Sequence, residues 1–273
     1  MNDSSLIRIA VHGAAGRMGQ RLVALASADP ELKLVAAIDS ARHPRLGQDA
    51  GAAAGVGELG LAITDSLAAP VDVVIDFSSP AGAMAILEKC LSQGVALVLA
   101  TTGLEKAEQA RVREAAGRIP LLWSPSMSLA VNLAMKLSEQ AAVALKDHPG
   151  GADVEIIERH HRYKEDSPSG TALKFGAIIA DRMGQAAQRH GREGRIGARP
   201  HGEIGYHAVR VGDNPGEHTI VFGLLGETLE IAVRATNRDC YAHGALAAAK
   251  FLAGKPAGLY GMNDVLGLHG HGL

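Results

Sequence analysis

The chain has 273 residues, 47% apolar and 21% charged, with a formal charge of -2. That is the balance of a globular protein of one large or two ordinary domains, with no basic excess for nucleic-acid binding. Aromatics at 3% leave no base-stacking platform, and Cys90 and Cys240 alone make neither a disulfide framework nor a thiolate zinc site.

The N-terminus lacks a basic segment followed by an apolar one, so no signal peptide is visible. No apolar run reaches membrane-spanning length. A soluble, cytosolic chain that uses neither membrane nor metal is expected.

Leu6–Val11, Leu32–Ile38, Val71–Phe77, Ala96–Leu99 and Leu121–Trp123 are short apolar runs of the buried-strand kind. Met18–Ala28, Ala81–Gln93 and Glu105–Gly117 between them read as helices. Such alternation predicts an α/β, doubly wound parallel sheet of Rossmann type. After about Ser124 the pattern changes. Met127–Leu145 and Thr171–Gln188 read as helices, and Asp153–His161, Ile204–Val211, Glu217–Phe222 and Glu227–Ala235 as strands. The last alternates apolar and polar residues, as in a half-buried antiparallel sheet. This is an α+β second domain with an open mixed or antiparallel sheet, whose free face suggests an oligomer interface. The basic, Gly-rich stretch Arg189–Gly202 is expected to be a mobile, solvated loop. The Ala-rich helix Tyr241–Leu252 can return to the first domain, giving one domain of residues 1–127 with 240–273 and another of residues 128–239.

The first strand runs into Gly13-Ala14-Ala15-Gly16-Arg17-Met18-Gly19. G-x-x-G-x-x-G after a strand and before a helix is a variant of the dinucleotide fingerprint. The chain must turn sharply, let backbone approach a pyrophosphate, and aim helix N–H groups at it. Asp39 ends the second strand, where an acid can bind the adenosine ribose hydroxyls. Asp39 favours NADH; Arg42 and Arg45 can accept the extra phosphate of NADPH, so both cofactors stay open. Ligands lie beyond the carboxyl ends of parallel strands, so Phe77–Pro80, Ala100-Thr101-Thr102-Gly103 and Ser124-Pro125-Ser126-Met127 should face the cofactor. Each is also an ordinary helix start, which is compatible with that role.

Glu158-Arg159-His160-His161-Arg162-Tyr163-Lys164 is the densest chemistry in the chain. If the run stays extended, His160, Arg162 and Lys164 share one face. Histidine exchanges a proton near neutral pH, and lysine binds a carboxylate. Ser167-Pro168-Ser169-Gly170-Thr171 then opens a helix whose N–H groups form an anion site. A cationic segment facing a helix N-terminus suits a small, doubly negative molecule. Each feature alone is more often a surface histidine pair or a plain helix cap.

This stretch resembles the signature of the 4-hydroxy-tetrahydrodipicolinate reductase family. The Gly13–Gly19 loop, Asp76-Phe77, Thr101-Thr102-Gly103 and Val131-Asn132 match that family in order, so the resemblance covers essentially the whole chain. It implies NADH- or NADPH-dependent reduction of a small dianionic cyclic imine in lysine and diaminopimelate biosynthesis, by a homotetramer built through the second domain's sheet. It implies His160 as acid/base, Lys164 as proton donor or carboxylate anchor, and His161, Gly170 and Thr171 as substrate contacts. Gly13, Ala14, Ala15, Gly16, Arg17, Met18, Asp39, Ala100, Thr101, Thr102, Ser124, Pro125, Ser126 and Met127 would line the cofactor. The family usually has Gly, Asn and Gly where this chain has Ala100, Ser126 and Ala130. Two rivals remain: another Rossmann-type dehydrogenase, and a nicotinamide-binding sensor without catalysis.

Overall fold

A computed structural model describes residues 6–268. The described residues divide into two compact units, residues 6–129 with 238–268 and residues 130–237.

In the first unit β1 (Ile7–His12), α1 (Arg17–Ser27) and β2 (Leu32–Ile38) form the opening strand–helix–strand unit. Then come α2 (Ala50–Ala54), β3 (Ile63–Thr64), β4 (Val73–Asp76), α3 (Pro80–Gln93), β5 (Ala96–Leu99), α4 (Lys106–Ala115) and β6 (Pro120–Trp123). The second unit holds α5 (Leu129–Leu145), β7 (Asp153–His160), α6 (Gly170–Met183), β8 (Ala187–His190), β9 (Glu203–Arg210), β10 (Glu217–Leu224) and β11 (Glu227–Arg234). The chain then re-enters the first unit as α7 (Asp239–Leu252), β12 (Gly258–Tyr260) and α8 (Met262–Val265).

The first sheet has seven strands in the order β12-β6-β5-β4-β1-β2-β3, and every pairing is parallel. Its faces are covered separately. Ile9 and Val11 point into one core with Leu22, Ala245 and Leu252. Ala10, Val74 and Leu97 point into another with Leu87 and Val112. Burial on both sides is why these strands are continuous apolar runs. It is the Rossmann-type, doubly wound arrangement.

The second sheet has the order β11-β10-β7-β9-β8. It is mixed: β10 is antiparallel to β7 and β11, while β9 is parallel to β7 and β8. Of the mixed or antiparallel arrangements expected, the sheet takes the mixed one, antiparallel on the β7-β10-β11 side. One face packs on α6, where Val154, Ile156, Ile204, Ile220 and Phe222 meet Phe175 and Ile179.

The structure corrects two expectations. The helix expected over Thr171–Gln188 stops at Met183, because Gly184 takes a left-handed conformation and caps it. The stretch expected as a mobile loop instead begins within β8, and its arginines anchor the chain leading into β9. Arg192 reaches Glu155 at 2.6 Å and Glu203 at 2.7 Å, and Arg199 pairs with Asp153 at 2.6 Å and Glu155 at 3.0 Å. Burial pushes the Glu155 carboxyl up, but hydrogen bonds from Arg192, His207 and Arg199 outweigh it and bring it down to about 2.

Close packing of α6 on the sheet needs Gly176. A Cβ there would lie 1.8 Å from the Tyr206 hydroxyl oxygen. Gly176→Ala is expected to cost about 1–3 kcal/mol through overpacking, read as a lower midpoint in urea unfolding.

Candidate active site

In the first unit, Gly13 has φ +79° and a Cβ there would lie 2.4 Å from the Phe77 carbonyl oxygen. Gly19 abuts the loop itself: its Cβ would lie 2.0 Å from the Gly13 oxygen. Gly16 caps α1 without a side-chain acceptor, so no side chain occupies the first-turn N–H groups. This bare, positively polarised helix start fits a dinucleotide phosphate. Ala14 and Ala15 are buried within the loop, and Arg17 and Met18 begin the helix. Asp39 lies beside the loop, where its carboxylate accepts from the Ala15 N–H at 2.8 Å and the Ser40 N–H at 2.8 Å. Arg45 donates to the Ala53 carbonyl at 3.2 Å, and Arg42 is exposed.

Sequence reasoning missed what lies beneath the later strand ends. Asp76 is fully buried and accepts from the Thr101 hydroxyl at 2.5 Å and the Ser78 hydroxyl at 2.6 Å, with His12 Nδ1 at 2.6 Å. Thr101 Oγ1 in turn accepts from the Ser78 N–H at 3.0 Å. The Thr101 side chain is thus committed inward, while Thr102 is exposed. Ala100 is buried and its N–H donates to the Asp76 carbonyl at 3.0 Å. The Ser124 hydroxyl donates to the Ser126 carbonyl at 2.7 Å; Pro125 is exposed and Met127 buried. A Cβ on Gly244 would lie 1.7 Å from the Met127 oxygen, so α7 fixes this segment. The signal for the Asp76 cluster was an acid closing an apolar strand, two residues before a serine.

In the second unit, β7 alternates Val154, Ile156, Glu158 and His160 onto the core face. Two apolar residues are followed by two polar ones on the same buried face. Glu158 is 1% exposed and compensated on every side. His160 Nδ1 lies 2.5 Å from Oε2, Arg210 donates to both oxygens at 2.8 Å, and the Ser169 N–H donates at 3.0 Å. Burial raises the Glu158 carboxyl, but Arg210 and His160 hold it below the usual range. His160 is pushed down by burial, against the pull of Glu158.

The extended run through Lys164 does not form. β7 ends at His160, and Arg162 and Tyr163 make a turn. Lys164 is nonetheless close enough to depress His160 further. Its Nζ pairs with Asp166 at 2.7 Å, and Asp166 also takes a backbone hydrogen bond from Gly170. An internal carboxylate therefore bridges Lys164 and the first residue of α6. His161 Nδ1 is buried with no partner among the described residues. Gly170 and Thr171 open α6, capped by Ser169, whose hydroxyl accepts from the Ala172 N–H at 3.2 Å. His218, also unforeseen, lies 3.1 Å from the Ser169 hydroxyl, its ring edge-on to His160 at 5.2 Å. Among the described residues no helix is long and apolar enough to cross a membrane.

Residues 7–127 match the N-terminal and residues 130–266 the C-terminal model of dihydrodipicolinate reductase. The chain belongs to the dihydrodipicolinate reductase family. A 4-hydroxy-tetrahydrodipicolinate reductase from Rhodopirellula baltica is 58% identical over 270 residues, 96% of each chain. One from Alkalilimnicola ehrlichii is 47% identical over 267 residues, 96% of this chain and 99% of its own. Among solved structures, a dipicolinate-bound dihydrodipicolinate reductase from Paenisporosarcina sp. TG-14 superposes with a TM-score of 0.76 at 25% identity, covering 95% of this chain and 99% of that one. The chain is an NAD(P)H-dependent oxidoreductase. Its cysteines fit no thiolate mechanism: burial pushes Cys90 up to about 12 and raises Cys240 as well.

Burial pushes His218 down to about 4. The folded state thus takes up this proton less readily than the unfolded chain. The associated stability is complete above the unfolded value near 6.5 and is lost as pH falls to about 4. The wild type should lose on the order of 3 kcal/mol more than His218→Gln between those limits, measured by urea unfolding across pH.

Proposed function

We propose that the chain reduces 4-hydroxy-tetrahydrodipicolinate to tetrahydrodipicolinate with loss of water, in lysine and diaminopimelate biosynthesis. The first unit is the dinucleotide-binding domain and the second binds substrate and builds the oligomer. The observation that carries the substrate half is a carboxylate-held histidine in one unit with Lys164 and the start of α6.

When bound, NADH or NADPH would supply a hydride to the ring carbon that lost the hydroxyl. The resulting enamine needs a proton on the neighbouring carbon. His160 supplies it from Nε2, because Nδ1 is engaged by Glu158. Lys164 and the N–H groups of Gly170 and Thr171 hold a ring carboxylate, replacing Asp166 between them. His161 offers its unpartnered Nδ1 to the substrate.

On the cofactor side, Gly13 to Met18 surround the pyrophosphate and Asp39 takes ribose hydroxyls. Ala100, Thr102 and Ser124 to Met127 flank the cofactor through backbone or exposed atoms. Thr101 acts from below, through Asp76.

The open face of the second sheet supports assembly into a homotetramer. Ile157 is 42% exposed on β7 and Val209 is 43% exposed on β9. The reaction and composition suit the cytoplasm.

His160→Ala should lower kcat by roughly 10²–10⁴-fold. The assay follows nicotinamide absorbance, with substrate generated in place by a synthase from pyruvate and aspartate semialdehyde. A near-wild-type rate would remove His160 from the mechanism. Asp39→Ala should raise the Kd of NADH more than that of NADPH in fluorescence titrations. Equal weakening of both would refute the ribose contact.

A further inference from the structure

The buried carboxylate of Glu158 is shared between two claimants. Oε2 lies 2.5 Å from His160 Nδ1 and 2.8 Å from Arg210 Nη1. Oε1 takes Arg210 Nη2 at 2.8 Å and the Ser169 N–H at 3.0 Å. Arg210 is itself fixed, donating to the carbonyls of Asp166 at 2.7 Å and Val209 at 2.8 Å. We propose that Glu158 and Arg210 are an opposed pair of positioning residues for His160. Glu158 fixes the ring and retains its proton, and Arg210 draws off part of the carboxylate's charge so that the proton can be given up.

The geometry makes both halves necessary. A carboxylate on Nδ1 fixes the ring's orientation and leaves Nε2 for chemistry. Nε2 approaches the backbone at Gly216, where a Cβ would lie 2.8 Å away, so no larger residue screens that nitrogen. A carboxylate with no other partner would hold the proton too firmly for an acid that must release it near neutral pH. Arg210 engages both of its oxygens and limits that hold.

The other groups packed around His160 do not substitute for this pair. From β10, His218 presents a ring edge and is kept neutral by burial, with Ser169 at its Nε2. From the loop after β7, Lys164 acts against the proton but is paired with Asp166. At the entry to α6, Ser169 contributes its cap and no charge. Glu158 is the one anion in hydrogen-bond contact with His160 among the described residues.

A residue that merely held the fold together would shift the titration of His160 in no particular direction. The opposed pair predicts opposite signs. In Glu158→Gln the amide keeps the shape and removes the charge, so His160 should release its proton at lower pH. In Arg210→Gln the carboxylate is left to His160, which should hold its proton to higher pH. Each midpoint should move by roughly one pH unit.

The experiment is histidine nitrogen-15 NMR titration of the full-length chain without substrate, paired with pH profiles of kcat/KM. For the reaction, the inference rests on His160 as proton donor, and the two measurements separate the claims. Opposite midpoint shifts with the rate profile following support both. Opposite shifts with an unmoved rate profile support the pair and sink His160 as the donor. Shifts of the same sign, or none, overturn the pair. Should either single variant fail to fold, Glu158→Gln with Arg210→Gln removes both charges. There the two opposed shifts should largely cancel, and because the glutamine amide at position 158 can either accept from Nδ1 or donate to it, both tautomers should appear. A double variant that keeps the single wild-type tautomer, or whose midpoint moves by as much as either single variant is expected to, overturns the proposal.

Discussion

Burying a carboxylate is costly unless its oxygens are filled, and in the second unit Glu158 meets that condition with donors from separate elements. His160 comes from its own strand, Arg210 from the neighbouring parallel strand, and the Ser169 N–H from the entry to α6. Removing any one would leave an uncompensated buried charge or dipole, a loss of several kcal/mol in general. The cost of burying one charge therefore ties together the three pieces the proposed substrate chemistry uses: the imidazole, the helix N-terminus and, through the Asp166 carbonyl on Arg210, the loop carrying Lys164.

The first unit repeats the arrangement with different donors. Asp76 closes β4, between the ends of β1 and β5, and collects His12, Ser78 and Thr101. No guanidinium takes part. Two hydroxyls and an imidazole pin the ends of adjacent parallel strands, which is where a Rossmann-type sheet presents its ligand. Chain position alone therefore points Thr101 at the cofactor, although its hydroxyl turns the other way. A threonine at a strand end faces either outward to ligand or inward to a buried acid, and position in the chain does not distinguish them. The partner that decides it, Asp76, is 25 residues away.

Legibility in the sequence tracks burial. β1, β2, β4, β5 and β6 are visible there because both faces of the sheet are covered, leaving unbroken apolar runs. β3 has two residues, β12 three and β8 four, too short to show a period, and β8 is fully exposed. The stretch beyond β8 looks mobile because glycine and arginine are read locally. Arg192 finds Glu155 37 residues upstream and Arg199 finds Asp153 46 residues upstream, both on the opening strand of the second unit. Lys164 is hard to place for a related reason. The residue pattern suggests a strand continuing beyond His160, whereas the His161 and Arg162 N–H groups turn to the carbonyls of Asn214 and Gly212. The motif's chemistry is legible; the backbone geometry that aims it depends on the neighbouring loop.

The two buried acids differ in what they can adjust. Hydroxyl donors hold Asp76 without bringing any net charge, so that site is suited to rigidity beneath a cofactor loop. Arg210 brings a full positive charge to Glu158, and that charge acts on His160 across the shared oxygen. An acid catalyst needs an intermediate hold on its proton, which burial alone would make too weak and an unshared carboxylate too strong. Opposed charges on a common carboxylate set that balance, and they do so from within the strands, where the sheet's own hydrogen bonds fix the distances. With His160 as the proposed proton donor, the register of the second sheet becomes part of the chemistry, because the proton's availability then depends on how β7 and β9 are held together at His160 and Arg210.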